Sequence, residues 1–322
     1  MTYEEKLEAL CGENENIRIL TAENRAAIRS LSEKLRSRFI DFGIAEQTMV
    51  GAAAGMALRG RIPVVHALAA FLTMRAFEFI RTDVGIPRLP VKFIGGVPGF
   101  LSDANGPTHQ ALEDIALMRS IPSMHIFCPS DSEELVNGMA QILQSPFPWY
   151  VRFNARPPVI EHSVPFIPGV AETVSDGFDV AVVTYGMLLE QAIRAKELLD
   201  KAGVSVRLIN LRALQPIDEA AILRAARETE LIVSLEDHFL NGGLYTIICE
   251  LLARNCTATH VAPMALEQRW FRPGLLPDVL EYEGFTGRQI AIRILIKLAS
   301  LKRQNRYPPN GQKISPFIKS IC

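Results

Sequence analysis

Short β-branched or apolar runs alternate with segments of helical period along most of this chain. That alternation restricts it to βαβ units wound about parallel sheets. In the first half, candidate strands fall at 17–20, 39–41, 63–66, 91–94, 125–128 and 150–152. Helical periodicity lies between them at about 24–36, 46–58, 71–83, 110–119 and 131–144. Asp131 or Ser132 can cap the last of these, with Glu133 and Glu134 complementing the positive end of its dipole. Pro157, Pro158, Pro165 and Pro168 then break the pattern, a density that suits an extended linker rather than a helix or central strand. The alternation restarts with strands at 179–186, 204–210, 231–236 and 257–261 and helices at about 187–202, 217–227, 243–254 and 286–300. The expected fold is α/β, with two doubly wound domains, each a mainly parallel sheet flanked by helices. Their spans are 1–165 and 166–300, followed by a basic tail over 301–322.

At 322 residues and 48% hydrophobic, the chain has the length for two such cores. A net charge of -1 argues against a dedicated nucleic-acid or membrane surface, which is normally strongly basic. The charged start Met1-Thr2-Tyr3-Glu4-Glu5-Lys6 has no apolar signal core, and no run of eighteen apolar residues occurs, so a cytoplasmic location is expected. Cys11, Cys128, Cys249, Cys256 and Cys322 are odd in number and show no Cys-x-x-Cys spacing, which fits free thiols.

One stretch stands out for chemistry. In Phe39-Ile40-Asp41-Phe42-Gly43-Ile44-Ala45-Glu46-Gln47, a short strand ends at Asp41, Gly43 allows a bend, and a helix of small residues opens near Ala45. Glu46 is thus placed just beyond the carboxyl end of a strand, the edge at which open α/β sheets bind ligands. An acidic residue in a first turn also has a plain structural reading, since it complements the helix dipole.

The run Phe-x-Asp-x-Gly-Ile-Ala-Glu-Gln, together with Gly106-Pro107-Thr108-His109-Gln110, resembles the pyrimidine-binding domain of transketolases and 1-deoxyxylulose-5-phosphate synthases. The second half, with its Leu235-Glu236-Asp237-His238 strand end before Gly242-Gly243-Leu244, resembles the transketolase C-terminal domain. The resemblance covers about 15–300. It implies that Glu46 bonds the aminopyrimidine of thiamine diphosphate and promotes its activation. Phe71, Met74 and Phe77 match the family segment that packs the pyrimidine; their i, i+3, i+6 spacing would put them on one helix face, as it would ordinary core residues. His109 matches a histidine that contacts substrate oxygens. Arg152 matches an arginine that grips a sugar phosphate, a task for which a planar guanidinium is suited. Asn105 stands where the family usually has aspartate, and Val97 where it has a histidine, so a less hydroxylated donor is implied. His66, at a strand end, is a further candidate for facing substrate, with a structural role as the other reading.

Transketolases hold the diphosphate through a divalent metal on a Gly-Asp-Gly motif, which occurs nowhere in this chain. The resemblance therefore implies the C-terminal subunit of a split enzyme. An N-terminal partner subunit would carry the diphosphate-binding domain and the Mg2+ or Ca2+, no metal ligand would lie in this chain, and the assembly would be a dimer of heterodimers. The implied reaction is transfer of a two-carbon ketol unit from a ketose, such as a ketose phosphate, to an aldose. A carboligase or deoxyxylulose-synthase-like enzyme using a 2-oxo acid donor, the β subunit of a 2-oxo acid dehydrogenase, and a non-catalytic binding half remain alternatives at this point.

Overall fold

The computed structural model of the chain describes residues 1–306 apart from positions 23 and 268. The first half contains β1 (Ile17–Thr21), β2 (Phe39–Asp41), β3 (Ile62–Leu68), β4 (Lys92–Gly96), β5 (His125–Phe127) and β6 (Trp149–Arg152). Around them lie α1 (Tyr3–Glu13), α2 (Leu31–Leu35), α3 (Glu46–Leu58), α4 (Phe77–Phe79), α5 (Asp114–Arg119) and α6 (Ser132–Gln144). The second half adds β7 (Glu172–Ser175), β8 (Val180–Thr184), β9 (Val206–Asn210), β10 (Ala213–Gln215), β11 (Leu231–Phe239) and β12 (Val261–Leu266). Its helices are α7 (Leu189–Lys201), α8 (Glu219–Glu228), α9 (Leu244–Arg254), α10 (Leu276–Glu283) and α11 (Gly287–Arg306).

The first sheet runs β10-β5-β6-β4-β3-β1-β2 and the second β12-β11-β8-β9-β7. All pairings are parallel except β10 with β5 and β7 with β9. In the first sheet β1 is followed by β2 on one side and by β3 on the other, which makes a switch point between β1 and β3. Central strands such as Val-Ala-Val-Val-Thr of β8 are buried along their whole length, as a sheet covered on both faces requires. β10 comes from the second half yet extends the first sheet, with Ala213 opposite Phe127. One apolar cluster accordingly includes Val65 and Phe93 of the first sheet together with Val183 and Ile248 of the second half.

Local chemistry explains most element starts. The Asp131 side chain accepts from the N–H groups of Glu133 and Glu134, both at 3.0 Å, and so caps α6. Thr2 and Glu5 form a reciprocal capping box at the head of α1, a helix that periodicity alone did not bring out. The helix expected over 24–36 is reduced to α2 and a following 3-10 turn. Leu31 is buried there, and the Ser30 N–H is held by the Glu4 carboxylate of α1 at 2.6 Å. The strand expected at 257–261 lies instead at β12. That is an edge strand, the place in a sheet that tolerates a proline such as Pro263. The final helix continues to Arg306, past the position where the tail was expected to begin; the rest of that tail lies outside the described residues.

Two polar networks join the halves. At one, Arg152 on β6 donates to Asp114 at 2.8 Å and to Asp237 on β11 at 2.7 Å. At the other, the linker residue His162 bridges Asp131 and Glu172, each at 2.8 Å. No described helix is long and apolar enough to cross a membrane.

Candidate active site

Glu46 is the first residue of α3 and is 2% exposed. The turn that delivers it needs Gly43 at φ 64, and the Gly43 N–H is held by the Asp41 carboxylate at 2.8 Å. A cavity of about 340 Å³ opens beside it, lined by Ala22, Asn24, Ile44, Glu46, Leu68 and Phe71. Ala22 and Asn24 follow β1, and Leu68 ends β3, so the cavity sits at the carboxyl edge beside the switch point. A Cβ at Gly96, the end of β4, would come within 2.6 Å of the Asn24 amide nitrogen, so glycine there leaves room for that side chain.

Phe71 opens a π-helical turn, Phe71–Arg75, in which the Ala76 N–H reaches back to the Phe71 carbonyl at 3.2 Å. Such wide turns recur at functional sites because they re-aim side chains. This one departs from the α-helical turn on which the i, i+3, i+6 spacing relied. Phe71 lines the cavity, whereas Met74 is 36% exposed, Phe77 packs partly into the core behind, and neither lines it. Only one of the three expected aromatic or thioether walls is therefore at the cavity, since the spacing argument assumed 3.6 residues per turn throughout.

The turn also brings in Arg75, which sequence reasoning missed. Its Nη1 donates to Glu46 Oε2 at 3.0 Å, and its guanidinium carbon lies 4.3 Å from the centre of the Phe71 ring. His109 approaches the same ring edge-on, with centroids 5.0 Å apart, and its Nδ1 lies 2.9 Å from the Thr108 hydroxyl. The line Glu46, Arg75, Phe71, His109 is thus continuous. The loop carrying His109 is anchored by the buried Gln110, which donates to the Asn105 carbonyl at 3.2 Å and the Phe271 carbonyl at 3.0 Å. Asn105 itself is exposed on that loop. Val97, just past β4, has φ 47, a left-handed conformation rare for a β-branched residue.

Two expected substrate contacts do not sit at the cavity. Arg152 is 3% exposed, and its guanidinium is occupied by Asp114, Asp237 and the Asp237 carbonyl, with the Tyr185 ring centre at 5.3 Å. Its match to the family's phosphate-gripping arginine implied a ligand contact; in this structure the second sheet, packed against that strand end, engages it in an internal ion pair. Glycine at 99, with φ 56, is required beside it, because a Cβ would lie 1.9 Å from Asp237 Oδ2. His66 is 3% exposed, with Nε2 2.8 Å from the Tyr3 hydroxyl and Nδ1 3.3 Å from the Leu20 carbonyl. Burial holds its imidazole down at about 4, so it is neutral near pH 7 and bonds α1 to the sheet. Near the end of β11, Glu236 accepts from the N–H groups of Leu244 and Tyr245 and so caps α9.

Among the described residues, one group of carboxylates and histidine is close enough to hold a metal ion: Glu134, His162 and Glu172. Both ring nitrogens of His162 face carboxylate oxygens, the pattern of a protonated imidazole between acids. Burial disfavours that charge, but Asp131 and Glu172 outweigh it and hold the imidazole up at about 10. Both ring nitrogens are thus taken up by carboxylates, and the cluster as it stands is an ion-pair network.

Comparison with known proteins bears on what this site belongs to. A family profile described as the transketolase pyrimidine binding domain matches residues 1–156, and one described as the transketolase C-terminal domain matches 169–290. The 6-deoxy-6-sulfo-D-fructose transketolase subunit SqwH of Clostridium sp. (strain MSTE9) is 33% identical over 293 residues, 90% of this chain and 91% of that protein. The 1-deoxy-D-xylulose-5-phosphate synthase of Synechococcus elongatus is 37% identical over 284 residues, 85% of this chain but 43% of that protein. Among solved structures, a split-gene transketolase described as an inactive β4 tetramer superposes with a TM-score of 0.84 at 30% identity, covering 92% of this chain and 97% of that one.

Proposed function

The chain belongs to the transketolase family, as the C-terminal section of a split enzyme of transferase type, and from that premise we propose that Glu46 is its cofactor-activating residue. The observation that carries this reading is a carboxylate 2% exposed, at the head of α3, on a cavity of about 340 Å³ walled by an aromatic ring. The family depends on thiamine diphosphate. A small, largely apolar cavity with one buried carboxylate fits the aminopyrimidine half of that cofactor, which needs one acidic partner and a flat apolar face. When bound, the cofactor supplies the carbanion that carries the two-carbon unit. What this chain contributes is the protein side. Glu46 holds or shares a proton at the pyrimidine ring, Phe71 fixes the ring plane, and His109 orients substrate oxygens from the loop that Gln110 anchors. Asn105, on that loop, would meet the donor hydroxyl end.

The diphosphate and its Mg2+ or Ca2+ would be held by an N-terminal partner subunit, in a dimer of heterodimers with the cofactor between chains. The absence of Gly-Asp-Gly from the sequence supports this division. The donor would be a ketose with an anionic end; the sulfo-sugar specificity in the SqwH name is compatible with that class. Arg152 would not be the anion's partner, because two carboxylates already occupy it.

A second donor reading is favoured by Val97 and by the deoxyxylulose-phosphate synthase likeness: a 2-oxo acid in place of a ketose. A donor panel with the purified two-subunit enzyme decides between them. Turnover of ketoses alone supports the first reading, and turnover of pyruvate or another 2-oxo acid alone supports the second.

A further inference from the structure

Arg75 touches two walls of the cavity without lining the cavity itself. Its Nη1 binds one oxygen of Glu46 at 3.0 Å, and its guanidinium lies 4.3 Å from the Phe71 ring centre. Both contacts follow from the π-helical turn. Thr73 donates back to the Ala69 carbonyl at 2.8 Å, the Ala76 N–H reaches Phe71, and residue 75 comes to rest over the ring of residue 71. The Glu46 side chain is 3% exposed, and a carboxylate so placed requires a donor to fix it. Arg75 is 43% exposed on its side chain, so it is anchored by these contacts rather than by burial.

We propose that Arg75 is a positioning residue that sets the carboxylate of Glu46 and the ring plane of Phe71 together. One guanidinium holds Oε2 of Glu46 by a charge-assisted hydrogen bond and the ring by its π face, which leaves Oε1 for the cofactor ring. Lysine could supply the charge but not the planar stack. This inference rests on the reading of Glu46 as the cofactor-activating residue.

The test uses the chain assembled with its diphosphate-binding partner. Thiamine diphosphate affinity is measured by calorimetry and by the cofactor-induced circular dichroism band, ketol transfer is measured alongside, and thermal unfolding is followed for the chain alone. Arg75→Gln is expected to weaken cofactor binding and slow turnover on the order of tenfold to a hundredfold, the scale of a misplaced active group. Its unfolding temperature should match wild type, and Arg75→Lys should recover part of the loss. Combined with Glu46→Ala, Arg75→Gln should cost less than it does in the wild-type chain, because the part of its effect that passes through the Glu46 carboxylate is already lost. Wild-type affinity and turnover in Arg75→Gln, with Glu46→Ala impaired, would overturn the inference alone, as would simple addition of the two effects. A Glu46→Ala enzyme with wild-type cofactor binding and turnover would overturn the reading of Glu46 and this inference with it.

Discussion

Arg152 of β6 and Asp237 of β11 meet at 2.7 Å across the two sheets, each with its side chain shut from solvent. The same guanidinium satisfies Asp114 at 2.8 Å, so one cation serves two buried carboxylates. Arg152→Ala strands both of them and is predicted to cost about 3–5 kcal/mol in denaturant unfolding. A loss below about 1 kcal/mol, the worth of a surface pair, would contradict the placement.

Two backbone positions just past β4 should respond in opposite directions. Val97 has φ 47, strained for a β-branched side chain, so Val97→Asn or Val97→Gly is predicted to stabilise the chain by about 1 kcal/mol. Gly99 has φ 56 and its added Cβ would collide with Asp237, so Gly99→Ala is predicted to destabilise by more than the about 1–3 kcal/mol of strain alone. Thermal unfolding of the three variants beside wild type checks both signs.

The linker network predicts a specific pH dependence. His162 is held at about 10 when folded against an ordinary 6.5, so the folded state binds its proton more tightly. Its contribution is fully present below pH 6.5 and is lost as pH rises from there through 10. The advantage of wild type over His162→Gln should therefore shrink steadily across that window. Lys92 works the other way: burial lowers it from 10.5 to about 7, and its amine donates to the Ser145 and Phe147 carbonyls. Its proton is bound more weakly when folded, so its penalty is relieved as pH rises from 7 to 10.5. Lys92→Met should gain on wild type at pH 6 relative to pH 10. Unfolding free energies of both variants at four or five pH values test the opposed slopes.

The alternation of strand and helix was legible because buried parallel strands and amphipathic helices leave different periods in the sequence. The start of α3 at Glu46 was legible too, from Gly43 and the small residues that follow. What escaped was whatever depended on a change of local geometry or on the other sheet. Met74 and Phe77 do not line the cavity with Phe71, because a π turn leaves no mark in an i, i+3 pattern. Arg75 was missed because nothing local says that its charge meets Glu46, 29 positions away. Arg152 read as a ligand contact from its match to the family and His66 from its strand-end position, but Asp237 of the second sheet and Tyr3 of α1 occupy them. β10, three residues long and lent to the first sheet, is below what periodicity can resolve.

The most direct test of the account is ketol transfer, with thiamine diphosphate and magnesium, by this chain alone, by the chain with a subunit bearing Gly-Asp-Gly, and by the same pair carrying Glu46→Ala. The account predicts turnover only in the pair, reduced on the order of 10²–10⁴ in the variant while its folding is unchanged. Full turnover by this chain alone would contradict the divided cofactor site, and an unimpaired Glu46→Ala pair would contradict the role given to the carboxylate at the head of α3.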